Sequence, residues 1–347
     1  MIASVAERVW RGTGAAARLT RGALYPLHLA YAAAVTARGA FYDRGVLPTR
    51  PLALAAVSVG NLTVGGTGKT PVAAWLVGEL ASRGARPAVV LRDYGGDEAL
   101  VHAALNPGTP VVSGADRVEA TARARTLGAD VAVLDDAFQH RRARRDADVV
   151  LLSADAWGAS RRLLPAGPWR EPMSALRRAS LVLVTRKAAA VEALDHVLEA
   201  AAAHAPRVPR AAALLAPSGL VDAHDASRRQ PASLAGEQVV AVAGVADPRA
   251  FARQLEALGA TVELRAFADH YPFRAADARE IVKWAARDAM IVCTLKDAVK
   301  LAPLWPRGGP GLWYLSQQVI LERGRPEVER LIDGILEART RFSPSAG

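Results

Sequence analysis

The chain has 347 residues, 51% of them hydrophobic and 22% charged, a composition typical of a globular protein of about two domains. Its net charge of +10 favours polyanionic partners, although charge alone does not choose between nucleic acid, acidic lipid and phosphorylated substrates. The single cysteine, Cys293, excludes an intrachain disulfide and lies in an apolar run typical of a buried position.

The first predicted element is an uncharged helix within residues 22–37. Its 16 residues fall short of the ~20 needed to cross a bilayer. Residues 1–50 contain seven arginines and only two acidic residues. An apolar helix framed by arginine can lie among the headgroups of an anionic leaflet, or it can pack on the protein's own core. We predict that residues 1–50 form a helical segment at a membrane interface, and the residues alone leave the second alternative open.

Residues 51–205 alternate short apolar strands with helical stretches. This pattern is typical of a parallel sheet covered by helices on both faces. The predicted strands are Leu54–Val59, Ala88–Leu91, Val131–Leu134, Val149–Leu152 and Leu181–Thr185. The predicted helices are Pro71–Arg83, Arg117–Leu127 and Ala188–Ala205.

Residues 206–237 contain four prolines and several small polar residues, and we predict that they link two domains, with a short ribbon around Ala211–Leu215. Residues 238–347 then resume the alternation and predict a second, smaller α/β domain. Its predicted elements are the strands Val239–Ala243, Thr261–Phe267 and Met290–Thr294 and the helices Pro248–Leu258, Ala275–Arg287 and Pro326–Arg339.

A glycine-rich loop joins the first predicted strand to the first predicted helix. Its glycines leave room for the backbone to wrap a phosphate chain, and the helix start adds partial positive charge. The predicted nucleotide-binding residues are Gly65, Gly66, Thr67, Gly68, Lys69 and Thr70. Lys69 is suited to the β- and γ-phosphates and the Thr70 hydroxyl to Mg²⁺. The usual motif begins with glycine, and this chain has Thr63 at that position. The alternative interpretation is a glycine-rich turn that binds no ligand. The motif predicts an α/β fold of the P-loop NTPase type, with ATP or GTP and Mg²⁺ as cofactors.

A second apolar strand, Val131–Leu134, ends in two carboxylates, Asp135 and Asp136. In P-loop enzymes an acid at this strand end lies beside the metal, so both are candidate Mg²⁺ residues. Adjacent residues of an extended chain point in opposite directions, so only one is expected to face the ion. The alternative is a pair of helix-capping acids.

Several segments together resemble the tetraacyldisaccharide 4'-kinases, the lipid A 4'-kinase family. The loop at 60–71 is similar to the family's G-N-x-x-x-G-G-x-G-K-T-P, which also lacks a glycine at the Thr63 position. Four more motifs follow in the family's order, namely Asp135–Arg141, Leu164–Glu171, Asp269-His270 and Thr294–Lys300. The segment Arg92–Glu98 departs from the family, since it fuses two motifs that an insert usually separates. Ala137 also replaces a usual glycine.

The resemblance implies transfer of the ATP γ-phosphate to the 4'-hydroxyl of a tetraacylated glucosamine disaccharide 1-phosphate, which would give lipid IV-A. It also implies a peripheral location on the cytoplasmic face of the bacterial inner membrane. It offers Asp97 as catalytic base, with His270 orienting it or sharing the proton, and Lys69 at the phosphates. Because Asp97 and His270 are far apart in sequence, we expect them in different domains that must close together. The residues implied for the substrate side are Arg117, Gln139, His140, Arg170 and Glu171.

Three other functions compete with this one. A soluble small-molecule kinase would share the P-loop but act on a water-soluble acceptor. A GTPase switch or metallochaperone would carry an N-K-x-D motif, and Thr294–Asp297 is out of register with it. A nucleic-acid-binding ATPase would interleave basic and aromatic residues, and a chain with 5% aromatic residues shows no such stripe. We therefore expect no nucleic-acid partner, and the sequence leaves the oligomeric state open.

Overall fold

The computed structural model describes residues 9–10, 12–92, 96–158, 160–285 and 289–342, and its backbone forms two compact units. The larger unit takes the described residues of 2–93, 105–215 and 319–347, and the smaller unit those of 94–104 and 216–318. The predicted helix end at Arg287 lies outside the described residues.

The strands are β1 (Arg50–Pro51), β2 (Ala55–Asn61), β3 (Pro87–Leu91), β4 (Val111–Ser113), β5 (Val131–Asp135), β6 (Ala143–Arg144), β7 (Ala147–Ser153), β8 (Leu181–Arg186), β9 (Arg210–Asp222), β10 (Arg228–Arg229), β11 (Gln238–Ala243), β12 (Thr261–Ala266), β13 (Met290–Cys293) and β14 (Leu312–Arg323). The α-helices are α1 (Ala15–Ala23), α2 (Tyr25–Asp43), α3 (Lys69–Ser82), α4 (Asp97–Leu105), α5 (Arg117–Thr126), α6 (Val191–His204), α7 (Pro248–Glu256), α8 (Ala275–Trp284), α9 (Leu295–Leu301) and α10 (Arg325–Thr340). Short 3₁₀ turns occur at Met173–Arg178, Pro231–Leu234 and Ala302–Leu304.

The larger unit is built on a parallel sheet in the order β4-β3-β5-β2-β7-β8-β9. Every residue of β2, β3 and β5 is buried, as expected for central strands covered on both faces. β2 pairs with β5 so that Val59 lies opposite Asp135. The loop after β2 and the acidic end of β5 therefore meet at the carboxyl edge of the sheet, where open α/β sheets bind their ligands.

The smaller unit has the strand order β12-β11-β13-β14-β9, with β10 antiparallel to β9. The pairings from β12 to β14 are parallel. Apolar clusters built on β11 and β13 pack α7 through Phe251 and Leu255 and α8 through Ala278 and Ile281. α4 belongs to this unit and begins at Asp97.

The P-loop NTPase type of α/β fold predicted from the sequence is confirmed. The segment predicted as a linker contains all of β9, a strand of 13 residues that includes the short ribbon predicted around Ala211–Leu215. β9 runs through Pro217: its pairing with β8 uses residues 210–214, its pairing with β10 uses 220–221, and β14 also pairs with it. β14 and α4 had no predicted counterpart. The division into domains at 1–50, 51–205, 206–237 and 238–347 stays a prediction.

The N-terminal helices α1 and α2 have no buried residue. α2 contacts the rest of the larger unit through polar groups: the Tyr31 hydroxyl donates to the Arg170 carbonyl at 3.1 Å, and His28 Nδ1 lies 3.1 Å from the Leu163 carbonyl. Tyr31 and Ala32 of α2 also pack against an apolar cluster of that unit. Large apolar side chains on α1 and α2 remain exposed, namely Leu19, Tyr25, Leu27, Leu29 and Phe41. Within the described ranges, no helix combines the length and the apolar character needed to span a membrane.

Candidate active site

The glycine-rich loop connects β2 to α3 in a conformation that depends on its glycines. Gly65 and Gly68 have φ values of 116° and 85°, in the left-handed region that a side chain disfavours. A Cβ on Gly68 would also lie 2.4 Å from Cδ1 of Leu215. Gly66 has no neighbouring atom within 4 Å of the corresponding position. The loop thus keeps an open face at Gly66 and a closely packed one at Gly68.

Hydrogen bonds from residues of β2 and β8 hold this loop in place. Asn61 Nδ2 donates to Thr67 Oγ1 at 2.9 Å, and the Thr185 hydroxyl donates to the Thr67 carbonyl at 2.9 Å. Thr63, where the common motif has glycine, forms an isolated β-bridge with Trp169. An extended residue suits that position, so the missing glycine does not disturb the loop. Such a fixed loop before a helix start is a preorganised anion cradle.

The two acids after β5 have different partners. Asp135 is 5% exposed, and its Oδ2 accepts a hydrogen bond from Thr70 Oγ1 at 3.3 Å. Asp136 has a φ of 51° and turns its carboxylate to Arg170, whose Nη1 lies 2.9 and 3.0 Å from the two oxygens. Lys69 Nζ is 3.9 Å from Asp136 Oδ1.

This donor set suits Mg²⁺. The Thr70 hydroxyl and the Asp135 carboxylate bring two hard oxygen donors together, and Mg²⁺ takes its remaining ligands from water and nucleotide phosphates. In the described part of the chain, no group of three or more His, Cys, Asp or Glu side chains could hold a metal ion by itself.

The remaining predicted residues of the larger unit lie around the same strand end. Gln139 Nε2 donates to the Asn61 carbonyl at 2.9 Å. Glu171 Oε2 accepts from Arg178 at 2.8 Å, while its buried Oε1 has no hydrogen-bond partner among the described residues. Burial, followed by the neighbouring positive charge of Arg117, lowers the pKa of His140. The Arg117 side chain is itself 2% exposed and donates to the Gly114 carbonyl.

Asp97 and His270 lie in the smaller unit and contact each other. His270 Nδ1 is 3.1 Å from Asp97 Oδ2. The expectation that they occupy different domains is wrong, because both residues belong to the smaller unit, with Asp97 at the start of α4. The pair needs no domain closure to form. Residues 93–95, the first part of the fused motif before Asp97, lie outside the described residues.

Asp97 is a buried carboxylate in a cationic setting. It is 3% exposed, and its Oδ2 is 3.7 Å from Lys296 Nζ and 4.0 Å from Lys300 Nζ. Its buried Oδ1 has no hydrogen-bond partner in the part of the chain described. The two lysines are four residues apart on α9 and so lie on one helix face. Sequence reasoning gave them no role, although this spacing was visible in the Thr294–Lys300 motif.

Known proteins resemble this chain over most of its length. Residues 20–337 match the family described as tetraacyldisaccharide-1-P 4'-kinase. The chain is 41% identical to the tetraacyldisaccharide 4'-kinase of Anaeromyxobacter dehalogenans strain 2CP-1, over 90% of each chain. It is 37% identical to that of Halorhodospira halophila, over 94% of this chain and 95% of the relative. The crystal structure of LpxK from Aquifex aeolicus in complex with ATP has a TM-score of 0.71 and 27% identity, covering 92% of this chain and 99% of that one. The chain therefore belongs to the tetraacyldisaccharide-1-phosphate 4'-kinase family.

Proposed function

We propose that the chain carries out the family's reaction, phosphorylation of the 4'-hydroxyl of tetraacyldisaccharide 1-phosphate, with ATP bound at the glycine-rich loop and Asp97 as the proton acceptor. The product is the 4'-phosphorylated lipid. The observation that carries this proposal is the fixed glycine loop after β2 with the Thr70 hydroxyl against Asp135. Phosphoryl transfer depends mainly on positioning and charge stabilisation, and these residues provide both.

In the nucleotide site, the backbone N–H groups of Gly65 to Thr70 cradle the phosphates and Lys69 neutralises their charge. Thr70 and Asp135 would hold Mg²⁺, which would offset charge on the β- and γ-phosphates. We assign the metal side to Asp135 rather than Asp136, because Arg170 already occupies both oxygens of Asp136. Asp136 and Arg170 then act as a pair that positions Lys69, which lies 3.9 Å from Asp136.

In the acceptor site, Asp97 is the general base. The 4'-hydroxyl is a weak nucleophile, and its proton passes to the Asp97 carboxylate as the hydroxyl oxygen bonds to the γ-phosphorus. The bond between that phosphorus and the bridging oxygen breaks, and ADP leaves with the electron pair. His270, which contacts Oδ2 of Asp97, holds the carboxylate in place.

Five residues of the larger unit complete the proposed substrate side. Glu171 Oε1 and His140 Nε2 are buried without hydrogen-bond partners among the described residues, and we assign both to the substrate side on the family resemblance. Gln139 fixes the backbone of Asn61 under the loop, and Arg170 fixes Asp136. We assign Arg117 a role beside His140, where its positive charge lowers the pKa of the imidazole. The buried position of Arg117 makes a direct contact with phosphate less favourable.

We further propose that α1 and α2 attach the enzyme peripherally to the cytoplasmic face of the inner membrane, where an acylated substrate resides. Leu27 and Leu29 are 59% and 50% exposed on a helix with no buried residue. The arginine excess of residues 1–50 suits an anionic leaflet. The double substitution Leu27→Glu/Leu29→Glu should reduce sedimentation with anionic liposomes without lowering the unfolding temperature. Leu127→Glu, at a residue 61% exposed elsewhere in the larger unit, is the matched control. Unchanged sedimentation of the double variant would remove these helices from the role of anchor.

The function is tested by following transfer of labelled phosphate from ATP or GTP to the tetraacylated disaccharide 1-phosphate and to its deacylated form. We expect ATP-dependent labelling of the acylated lipid, abolished by Lys69→Ala and unaffected by Lys283→Ala at an exposed lysine of α8. Preferential labelling of the deacylated sugar would favour a soluble small-molecule kinase instead. Full activity of Lys69→Ala would reject the P-loop assignment.

A further inference from the structure

A lysine contacts the far side of the His270 ring, and the proposed mechanism gives it no role. Lys296 Nζ lies 2.8 Å from His270 Nε2, the nitrogen opposite the one that faces Asp97. The same ammonium is 3.7 Å from Asp97 Oδ2 and 3.9 Å from Asp269 Oδ1. Two carboxylates therefore hold a positive charge directly against the ring.

This contact determines where the imidazole carries its proton. A lysine ammonium has three donors and no acceptor, so a ring nitrogen at hydrogen-bond distance from it must be the acceptor. The proton of the neutral ring is then on Nδ1, which donates to Asp97 Oδ2. We propose that Lys296 is a positioning residue that fixes His270 as the neutral tautomer with its proton on Nδ1, aimed at Asp97. The inference rests on the proposed roles of Asp97 and His270.

The backbone around both partners is fixed to one point, Gly244. The His270 N–H donates to the Gly244 carbonyl at 3.2 Å, and the Gly244 N–H donates to Asp297 Oδ2 at 2.9 Å. Asp297, next to Lys296 on α9, is fully buried and also accepts from Thr294 Oγ1 at 2.7 Å. His270 has a φ of 57°, a conformation that persists only where its surroundings impose it. The His270 ring and the Lys296 ammonium are thus both positioned through Gly244.

The second lysine of this helix face has a different role. Lys300 Nζ donates to the Tyr271 carbonyl at 3.2 Å and lies 3.4 Å from Asp297 Oδ1. It is 4.0 Å from Asp97 Oδ2, and no contact with His270 is among its described partners. Lys300 therefore adds charge near Asp97, while Lys296 alone of the two acts on the ring. Comparing substitutions of the two lysines therefore distinguishes the loss of positive charge near Asp97 from the loss of the contact that fixes the His270 tautomer.

The experiment is a long-range ¹H–¹⁵N correlation spectrum of the full chain with ¹⁵N-labelled histidine, with His270 assigned from the His270→Gln spectrum. The wild type should show Nδ1 protonated and Nε2 unprotonated. Lys296→Met should give a mixture of tautomers, and Lys296→Arg, which also offers only donors, should restore the wild-type pattern. Lys300→Met should leave the pattern unchanged.

Turnover should follow the spectrum. In Lys296→Met we expect kcat to fall at least about 10-fold and KM for ATP to stay unchanged. The loss in kcat should not exceed the contribution of general base catalysis, which is ~10²–10⁴-fold. Lys296→Arg should recover most of kcat. A wild-type spectrum with Nε2 protonated would overturn the inference even if Lys296→Met did not fold, and so would a Lys296→Met spectrum identical to wild type. If Asp97→Asn retained turnover while the spectra behaved as described, the proposed base would fail and the assignment of Lys296 would stand.

Discussion

Replacing Gly68 by alanine tests whether the phosphate loop depends on its packing as well as on its backbone conformation. Alanine at a φ of 85° costs roughly 1–2 kcal/mol relative to its preferred regions. The new Cβ would lie 2.4 Å from Leu215 Cδ1, whereas carbon atoms normally approach to ~3.5–4.0 Å. Leu215 is 1% exposed and has little space to retreat, so overpacking adds ~1–3 kcal/mol. The free energy of unfolding of the larger unit should therefore fall by about 2–5 kcal/mol.

Urea unfolding of wild type and Gly68→Ala, with ATP affinity measured by calorimetry, provides the assay. Gly66→Ala is the matched control, because nothing lies within 4 Å of its new Cβ, and its stability should stay within ~0.5 kcal/mol of wild type. Leu215→Ala opens the space that the new methyl group needs, so the double variant should be less destabilised than the sum of the single variants by ~1–3 kcal/mol. Strict additivity, or a Gly68→Ala variant as stable as wild type, would refute the packing argument.

Two more predictions concern the larger unit. Asp135→Asn should raise the Mg²⁺ concentration for half-maximal activity severalfold, whereas Asp136→Asn should not. If activity titrations gave the two variants the same Mg²⁺ dependence, the assignment of Asp135 would be contradicted. Because burial and Arg117 lower the pKa of His140 below its ordinary 6.5, the unfolded chain binds this proton more readily than the folded one. Stability should therefore fall as pH drops from about 6.5 towards the lowered pKa. In thermal unfolding, His140→Gln should flatten that part of the plot of unfolding temperature against pH. Parallel plots for the variant and wild type would contradict this.

The fold was predictable where local pattern and burial agree. β2, β3 and β5 are apolar along their length because helices cover both faces of their sheet, so the predicted strands lie within a residue or two of the observed ones. Residues 206–237 were predicted as a linker because proline normally argues against a strand, and β9 nevertheless runs through Pro217 in this segment.

The phosphate loop was likewise predictable, because its residues are contiguous and each acts through local geometry. The pairing of Asp97 with His270 was not, since it joins residues 173 positions apart and depends on residues 94–104 belonging to the smaller unit. The contacts of Lys296 are invisible for the same reason. The sequence shows the lysine spacing on α9, and only the fold shows what that face meets.

The central claim is that Asp97 removes the proton from the acceptor hydroxyl. The most direct test is single-turnover phosphate transfer to the acylated disaccharide by Asp97→Asn, a change that keeps the shape of the side chain. Asp333→Asn, at a carboxylate whose side chain is 65% exposed, is the control. We predict that transfer by Asp97→Asn slows by ~10²–10⁴-fold while its ATP affinity equals that of wild type. Transfer at the wild-type rate would contradict the account.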